Sequence, residues 1–163
     1  MKLTSLQDLY LHTLKDIYYA EQQILKELPG MAEKASDEEL RQAFTDHVAE
    51  TETQIGRLEQ VFEMLGETVD SETCPAIDGI LKEAKKLMRD LEDPEALDAG
   101  MIAAAQAVEH YEFTRYGTLA SWARTLGHSD AVALLEASRD EEIGADVKLT
   151  RLGEAWVNRQ AVA

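Results

Sequence analysis

Cysteine occurs once, at Cys74, so the chain offers neither an internal disulfide framework nor a cysteine-rich zinc site. Proline occurs three times and glycine nine times, while Ala, Leu, Glu and Gln are abundant, which is a helix-former's composition. Basic residues are also in short supply. Sixteen Lys and Arg stand against 32 Asp and Glu, a net charge of −16. A chain so acidic is repelled by a nucleic-acid duplex and by an anionic membrane surface, so neither is expected as a partner. Part of the acid surplus is available for a cation site, and the rest is a solvated surface. No apolar run approaches a membrane span, and M-K-L-T-S-L-Q-D-L-Y lacks the apolar core of a signal peptide. A cytoplasmic protein with one domain over residues 1–163 is the expectation.

What remains between the few breakers is helical. The first segment starts near Thr4 or Ser5, with Asp8 completing a capping box, and its inner face runs Leu6, Leu9, Thr13, Ile17, Glu21, Ile24, Leu28. Pro29-Gly30 predicts a kink followed by one more turn. Ser36 with Glu39 reads as a second capping box, opening a helix to about Leu65 that Gly66 ends. Residues 67–74 are a polar connection, and Pro75 opens a shorter helix with one apolar stripe from Ile77 to Leu91. Asp93-Pro94 is an N-cap followed by proline at the first helical position, and that helix runs to about Leu126. Gly127 stops it, His128 or Ser129 starts the last helix, and this one ends near Arg159.

No strand pattern competes. Short turns join the first pair and the last pair of long helices, so each pair is expected to be an antiparallel hairpin. The middle connection, with its own shorter helix, is then a crossover. The expected fold is all-α: a ferritin-like antiparallel four-helix bundle with a fifth, shorter helix between the two hairpins.

Each long helix carries metal-ligand side chains near mid-length on its inner stripe. The first has Glu21, the second His47 and Glu50, the fourth segment Glu109 and Glu112, and the last Glu142 and Asp146. Heights match as well. Glu21 lies about 15 residues before the turn near 36, and His47 to Glu50 lie a similar distance after it; two antiparallel helices bring them level. Glu109 to Glu112 and Glu142 to Asp146 straddle the Gly127-His128 turn in the same way. Burying so many carboxylates without compensation is prohibitive. Two divalent ions would convert that repulsion into coordination, and a carboxylate-rich set with one imidazole suits iron or manganese.

Other polar residues have plainer readings. His47 alone could be a core histidine bonded to a backbone carbonyl, and its company of level carboxylates favours a ligand role. His110 sits at the edge of the inner face, His12 on a polar face with Asp8 and Asp16, and His128 at a turn. Arg115 and Lys148 lie close to acidic stripes and are expected to pair with surplus carboxylates. A metal-free acid–base network that fixes helix register is the alternative to coordination.

The blocks L-K-D-I-Y-Y-A-E-Q-Q-I, H-V-A-E-T, A-A-A-Q-A-V-E-H-Y-E, Y-G-T-L-A and E-E-I-G-A-D-V-K-L-T together resemble the YciF-like family of bacterial stress-associated proteins. The resemblance spans essentially the whole chain. It implies a ferritin-like bundle, a homodimer, and a dinuclear site drawn from Glu21, His47, Glu50, Glu109, Glu112, Glu142 and Asp146. Trp122, Trp156 and Met88 are candidates for a dimer interface. Ferritin-like di-iron proteins usually carry Glu-x-x-His on their second and fourth helices. Here the order is reversed at His47-x-x-Glu50, and Glu142-x-x-x-Asp146 has no histidine, so ferroxidase or oxygenase activity does not carry over.

Two readings of function follow. One is a non-haem iron or manganese protein that reacts with peroxide or dioxygen, or sequesters metal, during stress. The other is a structural or partner-binding stress protein with a vestigial or metal-free polar core.

Overall fold

The computed structural model describes residues 3–162; Met1, Lys2 and Ala163, the ends of the expected 1–163 domain, lie outside the described residues. Among these the chain is helical, with no strand. Five helices carry it: α1 (Leu6–Lys34), α2 (Glu38–Met64), α3 (Pro75–Asp90), α4 (Pro94–Leu126) and α5 (Ser129–Leu152). A π-helical turn (Gly153–Val157) and the short α6 (Asn158–Gln160) extend α5. The long helices touch in a closed circuit, α1 on α2, α2 on α5, α5 on α4 and α4 on α1, and α3 lies against α4 and α1.

The ends form where side chains can satisfy the free amides. Ser5 caps α1 through Asp8 N–H (3.1 Å), and the Asp8 carboxylate reaches back to the amide and hydroxyl of Thr4. Pro29 lies inside α1, and the helix continues to Lys34 because Leu28 and Met31 on either side are buried in the core. Asp93 caps α4 with Pro94 behind it, and Gly127 ends it in the left-handed region at φ 82°.

The expected capping box at Ser36 is not what opens α2. Asp37 is the cap, accepting from Leu40 N–H at 2.9 Å. Ser36 is already committed, because the buried Asp98 of α4 takes its amide (2.9 Å) and its hydroxyl (2.6 Å), and the amide of Asp37 (2.8 Å) as well. Asp37 also accepts from Trp156 Nε1–H at 2.7 Å, so the α1–α2 turn is stitched to α4 and to the π-helical turn. That turn has no signature in the hydrophobic period; it interrupts the last helix where Trp156 reaches Asp37.

The connection before α3 runs along α1, with Glu72 N–H donating to the Lys15 carbonyl (3.2 Å) and Lys15 Nζ bonded to Asp70 (2.8 Å). Cys74 caps α3, its sulfur accepting from Ile77 N–H at 3.4 Å. The Cys74 sulfur also lies 2.9 Å from the phenol oxygen of Tyr111, which donates to Asp16 at 2.8 Å. Arg115 stacks over the Tyr111 ring at 5.1 Å, and the expected pairing with a carboxylate is not found among the described residues. Gly100 lets α4 approach α3 closely: a Cβ there would stand 2.5 Å from Leu87 Cδ2 and 2.9 Å from Leu91 Cδ1.

The core fills the space inside this circuit, from Tyr10, Leu14 and Ile17 on α1 through Leu58 and Phe62 on α2 to Met101, Leu119 and Leu135. Midway along, the apolar packing gives way to buried acids.

Candidate metal centre

All four long helices contribute to that polar layer. Glu21 on α1 is fully buried between Ile17 and Ile24. His47 on α2, Glu109 and Glu112 on α4 and Glu142 on α5 are buried too. One ligand atom from each of His47, Glu109, Glu112 and Glu142 lies within 4.8 Å of the others, which is a spacing that a metal ion can bridge.

The histidine is oriented by its outer neighbour. His47 Nδ1 is 3.0 Å from Glu50 Oε2, and a carboxylate accepts, so the shared proton belongs on Nδ1. Nε2 is left facing inward, 3.5 Å from Glu109 Oε1 and 3.6 Å from Glu142 Oε2, with no hydrogen-bond partner. This is how metal-binding histidines are commonly held: the outer nitrogen to a carboxylate, the inner one bare.

Two side chains that hydrogen-bond the acids from behind complete the layer. Tyr116 donates its phenol proton to Glu21 Oε1. Gln54, buried on α2, donates its amide to Glu142 Oε1 and, at 3.1 Å, to Glu141 Oε2. Glu141 in turn is gripped by Arg57 through two contacts of 2.7 Å.

Even so the layer is short of partners. Glu21 Oε2, Glu109 Oε2, both oxygens of Glu112, Glu142 Oε2 and His47 Nε2 are all buried without a hydrogen bond. A buried carboxylate oxygen with nothing to bond costs free energy as an anion, so protons are retained. Burial, and then the charge of Glu142, push the Glu21 carboxyl up to about 8. Burial first, and then the neighbouring Glu142 and Glu21, hold Glu109 and Glu112 well above the ordinary carboxylate range. Burial would lower the His47 imidazole, but its bond to Glu50 and the charge of Glu142 lift it above its ordinary value. A layer that holds protons this tightly presents ligand atoms that a cation could take over.

Of the seven residues singled out from sequence, four form the tight cluster and Glu21 adjoins it. Glu50 does not point into the core. Its side chain is 47 % exposed, because a three-residue step along a helix leaves it about 60° from His47, at the rim of the buried stripe. Asp146 stands apart, accepting from Gln106 at 2.9 Å and lying 3.3 Å from the exposed His110. Gln54 and Arg57 were missed. Gln54 shares the stripe Phe44, His47, Thr51, Gln54, Leu58, and a run of polar residues at that period on an otherwise apolar face is the signal that could have found it.

The chain belongs to the family described as a domain of unknown function, DUF892, whose family model matches residues 5–162. Protein YciF of Escherichia coli is 41 % identical over 162 residues, covering 99 % of this chain and 98 % of that one, so the resemblance read from sequence holds. The solved structure of the E. coli stress protein YciF superposes with a TM-score of 0.91 at 41 % identity, over 96 % of this chain and 99 % of that one. A Rhodopseudomonas palustris protein called YcfI, whose description proposes a structural role, superposes with a TM-score of 0.90 at 50 % identity, over 91 % and 95 % of the two chains. A Xanthomonas campestris protein shares the fold at a TM-score of 0.75 and 20 % identity.

Proposed function

We propose that His47, Glu109, Glu112 and Glu142, with Glu21 beside them and Glu50 behind His47, hold two iron or manganese ions in a ferritin-like antiparallel four-helix bundle. In this reading α3 is the fifth helix of the crossover, and residues 1–163 form one domain. The observation that carries it is the set of unpartnered buried ligand atoms from α1, α2, α4 and α5, four of whose residues converge within 4.8 Å. Four carboxylates and one imidazole fit iron or manganese, since oxygen-rich sites with a single nitrogen suit these ions better than copper or zinc. Asp146 is not needed, because it is engaged with Gln106 and His110.

The ions, when bound, supply redox chemistry toward peroxide or dioxygen, or are themselves the cargo of a sequestering protein. The residues of the chain have separate tasks. Glu50 fixes the His47 ring, Gln54 holds one oxygen of Glu142 so that the other faces inward, and Tyr116 does the same for Glu21. A role in stress, as in E. coli YciF, a cytoplasmic location and a homodimer complete the proposal.

Elemental analysis tests it on protein purified without added metal or a metal affinity column. About two iron or manganese ions per chain are expected for a di-metal carboxylate centre. The pair of changes His47→Ala and Glu112→Gln should remove the metal and leave the helical spectrum intact. No metal as purified, and none after anaerobic loading with ferrous or manganous ion, would overturn the reading. It would leave the structural alternative, which the bonds of Tyr116 to Glu21 and Gln54 to Glu142 favour, since they satisfy part of the layer without any ion.

A further inference from the structure

A pocket of about 220 Å³ opens from solvent and reaches the outer edge of the buried layer at His47 and Glu109. His47 and Glu109 line its floor, and their unpartnered Nε2 and Oε2 atoms belong to side chains more than nine-tenths buried. The walls are the facing stripes of α2 and α5, where Ala43, Gly144 and Ala145 leave the seam open. Around the mouth stand Asp46, Glu50, Glu141 and Lys148.

We propose that this seam is the entry route for divalent cations to the centre, and that Lys148, paired with Asp46 across it, is the latch that slows their passage. The inference rests on the metal reading above. Charge selects the traveller: at the mouth the three carboxylates of Asp46, Glu50 and Glu141 stand against the one ammonium of Lys148, so the pocket favours a hydrated dication over anions and anionic chelates. Not all three are equally free. Glu141 is neutralised by Arg57, and Asp46 by Lys148 Nζ at 3.2 Å, which leaves Glu50, bonded to His47 Nδ1 at 3.0 Å, as the carboxylate at the mouth with no Lys or Arg beside it among the described residues. Glu50 already touches His47, so a cation that sheds water onto Glu50 stands one side chain away from His47 Nε2 and Glu109. The latch is weak by construction. Lys148 and Asp46 are each about half exposed, and pairs of that kind hold loosely and open readily.

Gly144 makes the route testable without harming the fold. A Cβ at that position meets nothing within 4 Å, so a larger side chain extends into open space over the seam, and leaving glycine favours the helix. The experiment is anaerobic stopped-flow loading of the metal-free full chain with cobaltous ion, followed by its visible absorbance, together with the stoichiometry at equilibrium. Gly144→Leu should load at least tenfold more slowly than wild type, with the same final stoichiometry and an unchanged or higher Tm. Lys148→Glu, which changes charge at an exposed position, should load severalfold faster at low ionic strength, with the advantage fading as salt is added. Should Gly144→Leu misfold, Lys148→Glu alone decides. A wild type that takes up cobalt at rates indifferent to both substitutions overturns the route and leaves the metal site standing. A wild type that binds no cobalt, iron or manganese overturns the site and the route together.

Discussion

The retained protons of the buried layer make the pH dependence of stability unusual for an acidic protein. Glu21 has an ordinary value of 4.5 and is pushed up to about 8 in the folded, metal-free chain. The folded state therefore binds a proton that the unfolded chain gives up, and its contribution is complete below about pH 4.5. It is lost as pH rises through 8. The gap between 4.5 and about 8, at about 1.36 kcal/mol for each pH unit, amounts to about 5 kcal/mol. For a chain of this length each kcal/mol moves Tm by about 2–4 °C, so Glu21 alone represents a fall of roughly 10–20 °C. Glu109 and Glu112, shifted the same way, add to it. The assay is thermal melting in chelator from pH 5 to pH 8.5, on wild type and on Glu21→Gln. The amide of the variant is neutral throughout and keeps an oxygen for Tyr116. The difference between the two curves removes the surface carboxylates, whose shifts run the other way. Wild type should lose stability relative to the variant as pH rises. Saturating ferrous or manganous ion should reverse the trend, since ions bind the deprotonated ligands and stabilise by mass action. Parallel curves for wild type and Glu21→Gln in chelator would refute the account of the layer.

Two further predictions concern the frame around the site. Asp98→Ala removes a buried acceptor of three hydrogen bonds from Ser36 and Asp37, and should cost about 2–4 kcal/mol in urea unfolding without altering metal content. Gly100→Val places a side chain where Leu87 and Leu91 already stand, and should cost about 1–3 kcal/mol, with the loss appearing first as weakened hydrogen-exchange protection in α3.

Much of the fold was legible because its punctuation is sparse and chemically explicit. Pro75, Pro94 and Gly127 mark boundaries within a residue, as does Ser5 with Asp8, since a missing N–H, a fixed φ or a side-chain acceptor acts locally. Ser36 misled for the opposite reason. Its hydroxyl is a good cap in isolation, but Asp98, 62 residues away, competes for it and wins with a buried carboxylate. The π-helical turn was invisible on the same ground: it answers to Trp156 and Asp37, a contact between residues 119 positions apart.

The site followed a similar division. Counting residues from each turn places Glu21, His47, Glu109, Glu112 and Glu142 at one height, because helical rise is constant and hairpins are level. Rotation about the axis is less forgiving. Glu50 and Asp146 are the right distance along their helices, yet each is turned from the centre by more than the core stripe tolerates. Glu50 ends on the outer nitrogen of His47, and Asp146 in the seam with α4. The same rotation gives Glu50 its use. A carboxylate pointing inward would have been one more buried acid in a layer already short of partners. At the rim it stays half exposed and accepts from His47 Nδ1, and on the proposed entry route it would be the first oxygen an arriving cation meets.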